Sequence, residues 1–247
     1  MKMIGLIGGM SWESTALYYH HLNRMVRDRL GGLHSAKLML WSFDFAVIAA
    51  RQQAGDWDGA ALLLVDAARR LEDAGAEALV ICANTMHRVA PEVQTAVSIP
   101  LLHIADATGE AIQRTPSRRP ALLATRFTME QDFYRAHLRD RYGLEPMIPD
   151  APARDLVHRV IFDELCQGVV RPESKSAYLA VIDDLRRDGA DGVILGCTEI
   201  GLLIGQQDTA LPLFDTTQIH AAYIMDFACG GSFTDRIRSQ PPRGQRK

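Results

Sequence analysis

The sequence predicts an α/β protein built as two pseudo-symmetric parallel-sheet α/β domains with a cleft between them. Three observations carry this. Short apolar runs alternate with helical patterns, the order expected of a parallel sheet. One stretch repeats: residues 75–85 (Gly-Ala-Glu-Ala-Leu-Val-Ile-Cys-Ala-Asn-Thr) lie without a gap on residues 189–199 (Gly-Ala-Asp-Gly-Val-Ile-Leu-Gly-Cys-Thr-Glu). Flanking matches keep the same order, Leu6-Ile7 with Leu122-Leu123 upstream and Ile99-Pro100-Leu101 with Leu211-Pro212-Leu213 downstream.

Residues 3–10 open the first copy as an apolar run broken by Gly5, Gly8 and Gly9. Ser11-Trp12-Glu13-Ser14-Thr15 follows, and apolar residues then recur at helical spacing through Leu22 and Met25, so the segment reads strand, glycine loop, helix. Further strands are expected at 38–43, 78–82, 101–104, 121–124, 193–196 and 213–214. Tyr18 and Leu22 answer Tyr134 and Leu138 in the second copy. The first domain is expected over residues 1–103, taking back a final helix over 214–231, and the second over 104–213. Residues 232–247, with Pro241-Pro242, several basic residues and almost nothing apolar, are expected to be a loose, disordered tail.

The chain has 247 residues, 47% of them hydrophobic and 23% charged, with net charge -3, which supports a sizeable core and excludes a polybasic nucleic-acid arm. Its apolar runs fall far short of the roughly 18 residues of a membrane span, and Gly8, Gly9 and Glu13 interrupt the opening run where a leader would need its apolar stretch. A cytoplasmic protein is therefore expected, with no nucleic-acid or membrane partner. Cys82, Cys166, Cys197 and Cys229 lack metal-knuckle spacing and disulfide density, so free thiols are expected.

In open parallel sheets, ligands bind outside the carboxyl ends of the strands, where loops and helix N-termini face free space. The loops placed there are 8–11, 82–87, 125–128 and 197–199. Taken singly, Asn84, Thr85 and Thr198 read as helix caps; four polar loops on one edge read as a site for a small carboxylate. Gly5, Gly8 and Gly9 lack the spacing of a dinucleotide loop, and no Gly-Lys-Ser or Gly-Lys-Thr loop is present, so no nucleotide cofactor is expected. The eight histidines form no His-Glu-x-x-His pair and read as surface or packing residues, so no metal is expected. Cys197 stands at a strand end beside Thr198 and Glu199, where a helix N-terminus would lower its pKa below the free value of about 8.5. That makes it a candidate base or nucleophile. Cys166, in Leu165-Cys166-Gln167-Gly168, and Cys229, before Gly230-Gly231, read as packing.

Cys82-Ala83-Asn84-Thr85-Met86-His87 and Gly196-Cys197-Thr198-Glu199, together with Gly8-Gly9-Met10-Ser11, resemble the paired cysteine loops and opening glycine loop of the aspartate/glutamate racemase superfamily. The likeness covers about residues 3–229 and is strongest to the amino-acid racemase branch; hydantoin racemases, maleate isomerases and arylmalonate decarboxylases are sister branches. The resemblance implies cofactor-independent chemistry at a substrate α-carbon, in which one thiolate removes the α-proton and an opposed thiol supplies a proton to the other face. It further implies a small amino-acid or carboxylate substrate and a homodimer. Carried onto this chain, it makes Cys197 the acid/base and Met10, Asn84, Thr85, Thr125, Thr128, Thr198 and Glu199 the substrate contacts. Arg51 or Gln52 would read a side-chain carboxylate.

The chain departs from the family pattern at one position. Many members carry Cys directly before Asn-Thr; this chain has Ala83 there and Cys82 one place earlier. Adjacent strand residues point to opposite faces, so Cys82 serves as the second acid only if a bulge or strand-end twist re-aims it. The favoured reading is a racemase of aspartate and glutamate. The alternatives are a single-cysteine lyase or isomerase of the malonate-decarboxylase type, and a catalytically weakened small-acid binding protein.

Overall fold

Ile4-Gly5-Leu6-Ile7-Gly8 is buried throughout and carries no polar side chain, so it forms the central strand β1 (Ile4–Gly8) of a first sheet. In the computed structural model, which describes residues 1–230, the chain turns at Gly9, whose φ of 78° and contact with the Phe43 backbone leave no room for a β-carbon. The expected tail over 232–247 lies outside the described residues. Ser11 caps α1 (Trp12–Leu30) by accepting from the Ser14 N–H, and Gly31 ends it. There follow β2 (Leu38–Ser42), α2 (Phe45–Ala54) capped by Asp44, α3 (Trp57–Asp73) capped by Asp56, and β3 (Ala78–Ile81). A short 3-10 turn over Thr85–Val89 runs into α4 (Ala90–Thr95), and His103 caps α5 (Ile104–Gln113).

The second copy begins at β4 (Ala121–Leu123), followed by α6 (Arg126–Glu130) capped by Thr125 and α7 (Asp132–Tyr142). Asp150 caps α8 (Ala151–Asp163), which runs into a 3-10 turn over Leu165–Gln167. Then come α9 (Pro172–Arg187), β5 (Val193–Leu195), α10 (Ile200–Leu203), β6 (Leu213–Asp215) and α11 (Thr216–Cys229), the last capped by Asp215.

The two sheets are parallel, with orders β2-β1-β3 and β4-β5-β6. Leu101 bridges Leu79 on the open side of β3, and Met147 bridges Ala121 on the open side of β4. Both sheets thus offer the same four places, with one outer place reduced to a single bridge at opposite ends. This corrects the strand expected at 101–104: Leu79 donates to the Pro100 carbonyl and accepts from the Leu102 N–H, a single bridge at Leu101, and His103 then caps a helix that starts at Ile104. The repeat is structural as well as sequential. Leu79 pairs with Gly5 as Val193 pairs with Ala121, and Tyr18 and Tyr134 are both fully buried.

Strand alternation sends side chains to two cores in the first sheet. Ile4, Leu6, Ala78, Val80 and Cys82 pack with Tyr18 and Leu22 of α1 and with Ala221 and Ile224 of α11. Ile7, Leu79, Ile81 and Ala83 pack on the other face with Leu64 and Ala68 of α3. The final helix therefore returns to the first sheet. The second sheet packs with α5 and α7 to α9 in a separate cluster around Leu122, Tyr134, Ile161 and Tyr178. No helix among the described residues is long and apolar enough to cross a membrane.

Candidate functional site

A pocket lies where the strand ends of the two sheets face each other. The first half lines it with Met10, Phe45, Gln52, Ala83, Asn84 and Thr85. The second half contributes Thr125, Ile161, Phe162, Cys166, and Gly196 to Glu199. The walls are related: α2 follows β2, and α8 follows the Met147 bridge that takes the equivalent place in the second sheet. Phe45 of α2 stacks on Phe162 of α8 at 6.2 Å between ring centroids, closing the pocket with an aromatic contact between the halves.

Glu199 organises one side. It is 1% exposed, and its Oε2 accepts from the Cys197 thiol at 2.9 Å and from the Thr198 hydroxyl at 2.8 Å. Its Oε1 accepts from Ser11 at 2.6 Å, from Ser14 at 2.5 Å and more distantly from the Cys166 thiol at 3.6 Å. Ser14 also contacts the Thr198 hydroxyl. Five donors satisfy a buried carboxylate that, among the described residues, has no cation in contact, and its position beside Ser11 sets it at the electropositive start of α1.

The Cys197 thiol is held well above its ordinary pKa, first by burial and then by the adjacent Glu199 charge; the Glu199 backbone N–H works the other way. The expectation of a lowered pKa is therefore corrected. A helix of four residues, α10, does not outweigh burial and a carboxylate in direct contact.

On the facing side, Ala83 lines the pocket and Cys82 does not. Cys82 is fully buried among Val80, Leu6 and Tyr18, and burial pushes its thiol up. Strand alternation continues past Ile81 without a bulge, so the second thiol is turned away from the pocket; this corrects the provisional acid role for Cys82. Asn84 shows one unmet need. Thr216 donates its hydroxyl proton to the Leu195 carbonyl at 2.8 Å, so it can only accept from Asn84 Nδ2 at 3.0 Å. That fixes the amide orientation and leaves the buried Asn84 Oδ1 without a partner.

The Thr85 hydroxyl meets those of Thr125 and Thr128 across the halves at 2.9 and 3.0 Å, and Thr125 and Thr128 meet each other at 3.2 Å. Thr85 and Thr125 line the pocket, while Thr128 stands behind them, fully buried, as a support. Gln52 reaches the pocket and donates to the Met86 sulfur at 3.0 Å. Arg51 does not: its guanidinium pairs with Asp56, the cap of α3, on the surface. Successive residues on a helix diverge by about 100°, so only one of Arg51 and Gln52 could face inward. Among the described residues, no Arg, Lys or His lines the pocket.

Sequence reasoning placed Ser11 in a site loop but missed Cys166, Phe45, Phe162 and Ser14 as parts of this site. The capping spacing of Ser11 and Ser14 was visible, but nothing local pointed to Glu199. Cys166, read as packing, lines the pocket, and burial and the Glu199 charge hold its thiol up. The histidines are also more than packing. His103, Asp106 and His137 offer ligand atoms within 4.8 Å of one another. Asp106, however, already accepts from His137 at 2.6 Å and Tyr142 at 2.7 Å, with the Arg141 guanidinium at 3.0 Å, and His103 Nδ1 accepts the Ala105 N–H. That bond puts the ring proton on Nε2, and a cation there would also face Arg141, so the donor set suits an ion-pair network rather than a metal.

The Asp/Glu/Hydantoin racemase family model matches residues 7–224. Broad specificity amino-acid racemase RacX of Bacillus subtilis (strain 168) is 22% identical over 225 residues, spanning 87% of this chain and 93% of that one. A crystal structure of a candidate Asp/Glu racemase from Yersinia pestis superposes with a TM-score of 0.86 at 51% identity, over 93% of this chain and 100% of that one. An aspartate racemase homologue from Pyrococcus horikoshii OT3 gives a TM-score of 0.80 at 35% identity, over 93% and 100%. The aspartate racemase of Picrophilus torridus, 21% identical over 96% and 98%, shares the fold with a TM-score of 0.75.

Proposed function

Because the chain belongs to the Asp/Glu/Hydantoin racemase family, we propose that it exchanges the α-proton of aspartate or glutamate through one thiol, that of Cys197. The observation that carries this reading is the pairing of Cys197 with Ala83 in one pocket, at equivalent ends of β5 and β3, with Cys82 turned into the core behind. Burial and the adjacent Glu199 charge keep the thiol protonated. To act as a base it must first lose that proton, and the Glu199 carboxylate at 2.9 Å is the acceptor in contact. The proton passes from Sγ to Oε2, and the resulting thiolate takes the α-proton on its own face. The opposite face meets the Ala83 methyl group, so protonation there falls to water or a hydroxyl and is slow.

The unpartnered Asn84 Oδ1 suits the α-ammonium group, because a buried acceptor without a donor costs roughly 1–3 kcal/mol until one arrives. The Thr85 hydroxyl, which meets only other hydroxyls and so has a proton to give, suits the α-carboxylate, where charge grows as the carbanion forms. With no cation in the lining, a side-chain carboxylate would be held by neutral donors such as Gln52. The two halves, residues 1–103 with 214–231 and residues 104–213, already meet through Phe45–Phe162 and Thr85–Thr125, so they must part to admit substrate, and their return excludes water.

Incubation with L- and D-aspartate and L- and D-glutamate in D₂O, after dialysis against chelator, tests the proposal by the appearance of α-deuterium. One enantiomer is expected to exchange faster than it inverts. Binding without exchange would overturn it in favour of a carboxylate-binding protein. The single thiol also favours a second reading, a malonate-type decarboxylase in which Cys197 protonates one face, and release of CO₂ from a substituted malonate would identify it.

A further inference from the structure

We propose that His87 is a positioning residue, which fixes the Ala83 carbonyl, and with it the Asn84-Thr85 loop, to the start of α5. The inference rests on the reading of the pocket as the substrate site. His87 is 2% exposed and lines no part of the pocket. Its Nδ1 donates to the Ala83 carbonyl at 2.7 Å, and its Nε2 accepts the Ile104 N–H at 3.2 Å. A carbonyl can only accept and an N–H can only donate, so these partners select one neutral tautomer and use both ring nitrogens.

The two anchors belong to different cores. Ala83 packs with Leu79 and Ile81 of the first sheet, and Ile104 with Leu122 and Leu123 of the second. One ring therefore joins the loop facing Cys197 to the first helical residue after the chain has crossed between sheets. Its orientation is enforced from outside. The His103 ring lies 4.4 Å away and the His220 ring 6.0 Å away. His220 is itself held by the Tyr18 hydroxyl and the Leu102 carbonyl, both at 2.8 Å. Leu102 and Ile104 bracket the crossing; His220, Tyr18 and Leu102 all belong to the first half and hold its side of the crossing, so rotation of one half relative to the other pulls on the His87–Ile104 bond. Movement at the crossing is thereby transmitted to Ala83, and a shift of about 1 Å in a substrate-holding loop is enough to cost a large factor in rate.

Three substitutions in the full chain separate the two bonds. His87→Asn places an amide N–H where Nδ1 stands, His87→Gln places an acceptor where Nε2 stands, and His87→Phe keeps the ring without either. In α-deuterium exchange with L-aspartate, His87→Phe and His87→Gln are expected to lose about tenfold or more in kcat/KM, chiefly through KM, while His87→Asn recovers most of it. The alkylation rate of Cys197 should stay unchanged in all three. Equal losses in the three variants that follow thermal stability, with KM unaltered, would overturn the positioning role. Backbone amide exchange supplies a readout that needs no turnover: His87→Phe should loosen residues 83–89 and 104–108 together, and His87→Asn only the second segment. A wild-type chain that moves no α-proton refutes the functional reading alone. The coupling through His87 then stands if both segments loosen together in His87→Phe, and falls if they do not.

Discussion

The Cys197 thiol donates to Glu199 Oε2 at 2.9 Å, while Ser11 and Ser14 from the other half donate to Oε1 of the same carboxylate. One side chain therefore sets the protonation of the pocket thiol and fastens the halves together. Cys197→Ser is expected to lower α-proton exchange by about 10³-fold or more, because a serine hydroxyl is a far weaker acid than a thiol. Its melting temperature should barely move. Wild-type-like exchange by the folded variant would sink the one-thiol mechanism.

Glu199→Gln removes the negative charge that, after burial, does most to hold the Cys197 thiol up. The thiol pKa should fall, so the pH profile of alkylation by iodoacetamide moves to lower pH and the rate at neutral pH rises. Turnover should fall, since an amide cannot take the thiol proton. A profile that moves to higher pH, or turnover that rises with thiol reactivity, would contradict the proton-acceptor role.

Cys82→Ser places a hydroxyl among Leu6, Tyr18 and Val80, where it has little to bond. A stability loss of about 1–3 kcal/mol is expected in denaturant titration, with exchange per folded molecule unchanged. Ala83→Cys should instead raise inversion relative to exchange by restoring a thiol on the opposite face. A folded Cys82→Ser protein that loses inversion would mean that the end of β3 re-aims this thiol during catalysis.

Acid should destabilise the protein before its carboxylates titrate. Burial lowers the pKa of His87 to about 3 and of His220 to about 4, and it holds His103 well below the ordinary histidine value. The unfolded chain binds these protons at about pH 6.5 and the folded chain does not, so stability is complete above that value. It falls between about pH 6.5 and 4, by up to about 1.4 kcal/mol per pH unit for each such ring. Asp106, whose pKa is lowered by His137 and Tyr142 against the effect of burial, adds a loss only at still lower pH. Thermal melts from pH 8 to 4 check this; a flat melting temperature down to pH 5 would exclude it.

Arg51 and Gln52 separate cleanly. Arg51→Ala should leave KM for aspartate unchanged, since its guanidinium is engaged by Asp56 at the surface. Gln52→Leu keeps the volume and removes the donor, and it should raise KM about 5- to 10-fold, the worth of one hydrogen bond. An effect at Arg51 alone would mean that the ion pair with Asp56 opens to admit the substrate.

The sequence by itself determined the two sheets and their parallel sense, and it placed polar loops at their strand ends; for Cys82 it left two outcomes open, alternation turning the thiol away or a bulge re-aiming it. These depend on local causes: runs that must be buried, strand alternation with period two, glycine where φ is positive, and a repeat that imposes one arrangement twice. Tertiary structure alone decided that Glu199 meets Ser11 and Ser14 across 188 and 185 residues of chain. It also brought Cys166 to the pocket, sent Arg51 to the surface, and joined Ala83 to Ile104 through His87. Each of these outcomes depends on how two separately packed cores are placed against each other. The sign of a pKa shift depends on the same placement, because burial belongs to the assembled site: Cys197, at a strand end that predicts a lowered value, is instead held up first by burial and then by the neighbouring Glu199 carboxylate.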